Sequence, residues 1–252
     1  MEQSGTGHSR IKWIGALVAG MAAVVCAMIL SRAYNFKFHQ QETLSVTGAA
    51  EQNFVSDLIV WNASFTRHDF DLRKAFNALK EDELKVREYL HQNGLQDSSL
   101  EFSSVRIEKL TNTRYDSEGR VTGSDFAGYQ LIQTIKVESQ DIHRIDKISR
   151  EITGLIQQGV EMKSQAPSYY YTQLGTLKID LLAKASEDGR KRAETIAKNA
   201  GSSLGAMKRA SMGIFQITGQ NENEEYSYGG TFNTSSLNKT ATITVRMDFG
   251  VE

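Results

Sequence analysis

The chain is poor in the residue types that most often carry chemistry. It has one cysteine, Cys26, and five histidines, His8, His39, His68, His91 and His143, no two of them close in sequence. One cysteine excludes an internal disulfide, and scattered histidines without a nearby thiolate give no zinc spacing. Proline is almost absent too, with Pro167 alone. Charge of one sign is lacking: 29 Lys and Arg stand against 30 Asp and Glu, a formal net charge of -1. No global field gathers nucleic acid, so such a partner would need a local patch. Neither a G-x-x-x-x-G-K-[ST] loop nor a dinucleotide fingerprint is present. These absences leave no catalytic residue, metal ligand or cofactor site to name.

One feature is strong. From Ile14 to Leu30 no side chain is charged or strongly polar. The stretch from Trp13 to Tyr34 spans roughly 30 Å as a helix, about one bilayer core. Trp13 and Tyr34 stand where interfacial aromatics belong, with Arg10 and Lys12 before the run and Arg32 and Lys37 after it. An uncleaved anchor at 13–34 is expected, with residues 1–12 as a short cytoplasmic tail and the rest exported. Ser31 and Ala33 form a small-x-small pair, so a cleaved signal peptide is the alternative, although the apolar core is long for one. Val24 and Val25 before Cys26 disfavour a lipoprotein site. Gly15, Ala19, Ala23 and Ala27 recur every fourth residue, a ladder of small side chains that lets two such helices approach closely.

Beyond residue 44 the pattern is that of a folded domain. Ile59, Trp61, Ala63 and Phe65 alternate at period two, as do Ala241, Ile243, Val245, Met247 and Phe249, and both runs read as half-buried antiparallel strands. Leu72, Phe76, Leu79, Val86 and Leu90 lie at helical spacing and stop at Asn93 and Gly94; Ile145, Ile148, Ile152 and Leu155 do the same and stop at Gly159. Two strands are joined by "DSEGRVTGSD", another runs near "SYYYTQL", and a third helix covers about 177–200. The order ββαββαβαββ has no parallel crossover series. It predicts an α+β fold, a twisted, mainly antiparallel sheet with helices on one face.

Residues 220–239, polar and rich in Gly, Ser, Thr and Asn, predict a flexible loop or a partner-contacting excursion. "DIHRID" reads as a helix start, with Asp141 capping and His143 beside Asp146. "GSSLG" at 201–205 matches a hydrolase nucleophile pattern, but a helix precedes it, a strand follows and no histidine lies beyond His143. Gly201 is a helix stop instead. In the helix before it, Glu187 lies four residues before Lys191, Asp188 before Arg192 and Glu194 before Lys198. The cluster Arg190, Lys191 and Arg192 is therefore a solvated face rather than a nucleic-acid handle. Leu182, Gly189, Ala193, Ile196 and Ala200 are the expected inner stripe. Arg190 is the candidate subunit contact.

The run "LSVTGAAEQNFVSDLIVWNASF", the helix end "YLHQNGL", the segment "GYQLIQTIKVESQDIHRIDKI" and the helix "KASEDGRKRAETIAKNAGSSLG" together resemble the SIMPL domain (DUF541) family, over about 44–250. Ala49, Ala50 and Asn53 depart from its pattern at the second-strand entry. The resemblance implies an exported α+β domain with no accepted catalytic residues, able in some members to form ring-like homo-oligomers and linked to envelope or oxidative stress. The expectation is a single-pass protein of the bacterial inner membrane with its bulk in the periplasm: a non-enzymatic structural or interaction protein that assembles with itself, without cofactor or nucleic acid. The alternative is a periplasmic module that binds a small molecule, peptide or stressed envelope protein.

Overall fold

The computed structural model describes residues 20–32, 43–223 and 227–251. Its elements in chain order are α1 (20–32), β1 (Thr43–Val55), β2 (Leu58–Asp69), α2 (Leu72–Gln92), β3 (Leu100–Phe102), β4 (Arg106–Tyr115), β5 (Val121–Ser139), α3 (Ile142–Glu151), β6 (Glu161–Ser164), β7 (Ser168–Tyr170), α4 (Leu174–Asn199), β8 (Leu204–Met212), β9 (Gln216–Gly219) and β10 (Asn238–Val251). Short 3-10 turns cover Asp97–Ser99 and Ile152–Gln158. The class is α+β, as expected, but the strands divide between two sheets. One has the order β1-β10-β8 with β9 also on β10; the other has β3-β5-β2-β6, with β4 also on β5 and β7 on β2. The pairings of β9 with β10, of β2 with β5, β6 and β7, and of β5 with β3 and β4 are antiparallel, and an isolated parallel bridge joins Ile217 to Phe232.

Two compact units divide the described chain. The smaller takes the residues up to Val46, Lys191–Ala210 and the end from Met247; the larger takes Thr47–Arg190 and Ser211–Arg246. The core of the larger unit follows from β2. Its alternation puts Ile59, Trp61, Ala63 and Phe65 on one face, all fully buried, and β5 runs beside it from Ile59↔Ser139 to Asp69↔Tyr129. Leu131, Ile135 and Val137 extend the face, and α2, α3 and the 3-10 turn cover it with Leu79, Val86, Leu90, Ile145, Ile148 and Ile152. Each such side chain contributes roughly 1.5–3 kcal/mol by leaving water. Trp61 keeps its polar atom satisfied by donating from Nε1 to Ser164 Oγ at 3.0 Å.

The helix ends were readable because glycine solves a backbone problem there. Gly94, Gly159 and Gly201 all have left-handed φ, of 83, 81 and 75°. In each case the next amide reaches back across the last turn: Leu95 N to Leu90 O, Val160 N to Leu155 O and Ser202 N to Ala197 O. These are Schellman caps, which satisfy carbonyls a helix end otherwise leaves bare.

Two helix stripes differ from expectation. In α2 the buried positions are Ala75, Leu79, Asp82, Val86 and Leu90, while Leu72 and Phe76 are 37% and 41% exposed. The expected Leu79, Val86 and Leu90 are on the inner face, and there Ala75 and Asp82 take the places that Leu72 and Phe76 do not. In α4 the buried positions are Leu177, Leu181, Ala185, Gly189, Ala193 and Ala197, every fourth residue; Leu182 is half-buried and Ile196 and Ala200 are exposed.

Candidate interaction surfaces

α1 holds the described part of the expected anchor. Every residue from 20 to 32 is exposed, including Met21, Val24, Met28 and Leu30, and so are Ala23, Ala27 and Cys26. Among the described residues no helix is long and apolar enough to cross a membrane. Trp13, Gly15, Ala19 and Tyr34 lie outside the described residues.

The second surface is a ribbon. β5 is longer than its neighbour β2, whose pairing ends at Asp69↔Tyr129, so residues 121–127 of β5 are flanked by β4 alone. The register of β4 on β5 slips at Leu110/Thr111 and at Arg114/Tyr115. The extra residues, Ala127 and Thr122, both fall on β5, so β4 keeps an uninterrupted outer edge. Ile107 and Tyr115 on β4 are 52% and 64% exposed, and Val121 and Phe126 on β5 are also exposed. Phe126 packs edge-on against Phe70 and Tyr129, with centroids 6.0 and 5.1 Å away, and Lys109 Nζ lies 5.4 Å from its centroid. Arg114 pairs with Asp125 across the ribbon at 3.2 Å. Asp116 closes the turn by accepting from the amides of Arg120 at 2.8 Å and Glu118 at 2.9 Å. These bonds hold its carboxyl below the usual aspartate range, with the Arg120 amide first. A two-stranded ribbon is marginal in water unless something covers it.

The third surface is a cleft of about 580 Å³ between the β8–β9 turn, residues 227–228 and the middle of β10. Gly213 donates from its amide to Thr244 O at 2.8 Å, and a Cβ there would meet Thr244 Oγ1 at 2.3 Å, so any side chain would have to displace that hydroxyl. Ile214 forms one wall; Tyr228, fully exposed, forms another. Gln216 holds the rim, donating from Nε2 to Ser227 O at 2.9 Å and accepting at Oε1 from Thr231 N at 2.6 Å.

The polar segment expected as a flexible loop contains this rim. Its described part is tied by hydrogen bonds that composition does not disclose. Lys239 is 2% exposed and donates from Nζ to Asn233 O at 2.7 Å, Ser236 O at 2.6 Å and Asn233 Oδ1 at 3.2 Å. Glu222 accepts from Ser236 Oγ and from Asn233 Nδ2. On the outward face of β2 and β5 a polar cleft, also about 580 Å³, is lined by Ser64, Gln130, Thr134, Arg106, Glu161 and Lys163. Its charges are of both signs.

Among the described residues no group of His, Cys, Asp and Glu could hold a metal ion. Asp141 caps α3 through Arg144 N at 3.2 Å, as expected. Asp146 instead takes Arg150 at 2.7 Å and the Tyr169 hydroxyl at 3.0 Å, while His143 is exposed. Burial first, and then that bond, raises the Tyr169 phenol above its ordinary value. "GSSLG" follows the end of α4 and leads into β8, a helix-to-strand order. Arg190 is exposed on α4 with Glu194 four residues after it, and it is already engaged within the chain. Asp188 spends one carboxylate oxygen on the amide of Ala49 in β1, at 2.9 Å.

Compared with known families, residues 44–249 match the model described as SIMPL, Protein of unknown function (DUF541). The comparison with curated proteins finds no match.

Proposed function

The chain belongs to the SIMPL (DUF541) family, and from that premise we propose that it is a non-enzymatic interaction protein of the bacterial envelope, held at the inner membrane by its N-terminal segment and assembled from copies of itself. The β4–β5 ribbon carries the reading: Ile107, Tyr115, Val121 and Phe126 lie on a two-stranded arm that its own sheet leaves uncovered. Exposed apolar side chains on a marginal ribbon gain most from a protein neighbour. Membrane attachment is supported by α1, apolar and uncovered on every side, and by the apolar run that begins before it.

Membrane fractionation with protease protection, followed by sizing in detergent, tests the proposal. The expected result is a membrane-bound chain that sizes as an oligomer and whose bulk is digested by protease added to spheroplasts but protected in inverted inner-membrane vesicles. A soluble, strictly monomeric chain would overturn it. A second reading, a binding module, is favoured by the apolar cleft at Ile214 and Tyr228. Replacing both with serine would abolish capture of an apolar peptide while leaving the circular dichroism spectrum intact; unchanged capture removes that reading.

A further inference from the structure

We propose that β4 is the joint between copies: two chains pair their β4 edges antiparallel about a two-fold axis at Thr111, so that the sheet of one runs into the sheet of the other. The inference rests on the self-assembly reading and names its surface.

Among the described residues β4 is bonded to β5 on one side only. Its ten residues, free of bulges of their own, present a row of backbone donors and acceptors along the other side, which is a template for another strand. Many edge strands are blunted by charge. On β4 the charges are placed so that a second β4 answers them. With Thr111 on the axis, Glu108 stands opposite the partner's Arg114, and Arg106 stands opposite the partner's Asp116, just past the strand end. Ile107 stands opposite the partner's Tyr115, which brings together two of the most exposed apolar side chains of the ribbon. The axis repeats each of these contacts. The remaining pairs, Lys109 with the partner's Thr113 and Leu110 with the partner's Asn112, oppose no like charges.

Register is selected as well as permitted. A two-fold axis perpendicular to the sheet pairs only residues that project to the same face, so competing registers differ by steps of two. One step in one direction sets Arg106 against the partner's Arg114. One step in the other sets Glu108 against the partner's Asp116. Both separate Ile107 from Tyr115. Like charges directly opposite one another destabilise a strand pair, and opposite charges and aromatic–aliphatic pairs stabilise it. Within one chain Arg106 has Glu108 and Arg114 has Asp125, each at 3.2 Å and exposed, while Asp116 holds Arg120 at 3.0 Å beside its two turn amides, so the contacts across the axis add to these pairs and need break none that is buried.

The test uses the full chain in detergent with Cys26→Ala as background. Thr111→Cys should give a disulfide-linked dimer, because residues opposite each other on the axis have Cα atoms about 4.5–5.5 Å apart. Thr113→Cys alone should not link, since its copy lies roughly 13 Å away along the strand; mixed with Lys109→Cys it should. Glu108→Arg should weaken self-association by about tenfold, as should Arg114→Glu, and the two together should restore it. An oligomer in which Thr111→Cys does not link, or in which Glu108→Arg changes nothing, overturns the joint and leaves self-assembly standing. A chain that stays monomeric overturns both.

Discussion

Arg67 and Asp82 join the last residues of β2 to the middle of α2 by a two-point ion pair whose carboxylate has no exposed surface. Arg67 Nη2 donates to Asp82 Oδ1 at 2.7 Å and to Gly159 O at 2.8 Å, while Nε donates to Asp82 Oδ2. One guanidinium thus ties a strand, a helix and the glycine cap that ends the next helical segment. Hydrogen bonding to Asp82 raises the Arg67 pKa above its ordinary value. Because the acid is wholly buried, removing its partner should cost more than removing the acid. Arg67→Ala is expected to lower stability by about 3–4 kcal/mol and Asp82→Ala by about 2–3 kcal/mol. Arg67→Met with Asp82→Leu should recover most of the loss. Urea denaturation of the three variants checks the order.

Gly48 and α4 give a second prediction. A Cβ at Gly48 would lie 2.0 Å from Ala185 O and 2.5 Å from Gly189 N, both backbone atoms that cannot turn aside. β1 and α4 therefore approach as closely as two backbones without side chains allow. Ala49 N to Asp188 at 2.9 Å and Lys184 Nζ to Gln52 Oε1 at 2.7 Å flank the crossing. Gly48→Ala should cost about 3 kcal/mol, seen as a fall in melting temperature. Gly20→Ala, where nothing lies within 4 Å, should have no such effect.

This crossing explains part of what the sequence hid. The period-two runs of β2 and β10 and the glycines ending α2, the α3 segment and α4 were legible because local geometry alone dictates them. The α4 stripe was legible at Gly189 and Ala193 only, because at Ala185 and Gly189 the helix meets a neighbouring backbone, and Leu182 outweighs alanine in any hydrophobic count. Asp82 was missed for a related reason: its tolerance depends on Arg67, which helical spacing cannot reveal. The division into two sheets has no local signature, since each strand reads alike whichever partner it takes. The polar segment before β10 looked unconstrained because a lysine is rarely scored as an interior residue, yet Lys239 is one. Of the candidate surfaces, the ribbon's two strands were visible as strands; their lack of cover follows only from the mismatch in length between β5 and β2.

The start of α2 titrates. Asp71 accepts from the amides of Arg73 at 2.8 Å and Lys74 at 3.3 Å. These bonds, the Arg73 amide first, hold its carboxyl below the ordinary aspartate value of 3.8. A depressed carboxyl stabilises the folded state fully above the ordinary value, and that contribution is lost as pH falls through the lower folded value. Acid should therefore fray the first turn of α2, and Asp71→Asn, which keeps the acceptor without the titration, should abolish the pH dependence. Amide shifts of Arg73 and Lys74 followed by NMR check both; a midpoint at the ordinary value would refute the cap.

Lys239 makes the last prediction. Its ammonium sits among two backbone carbonyls and a side-chain amide oxygen supplied by Asn233 and Ser236, and Asn233 Oδ1 also accepts from Ser236 N at 2.9 Å. Lys239→Met keeps the length of the side chain and removes its donors, leaving interior acceptors to face a thioether. The expected cost is about 2 kcal/mol, and because the loss falls on the segment that folds over Lys239, limited proteolysis should accelerate there by roughly tenfold or more while cleavage elsewhere is unchanged. If the cleavage rate does not move, the segment is held instead through Gln216, whose amide bridges Ser227 and Thr231, and Gln216→Leu should then produce the effect that Lys239→Met did not.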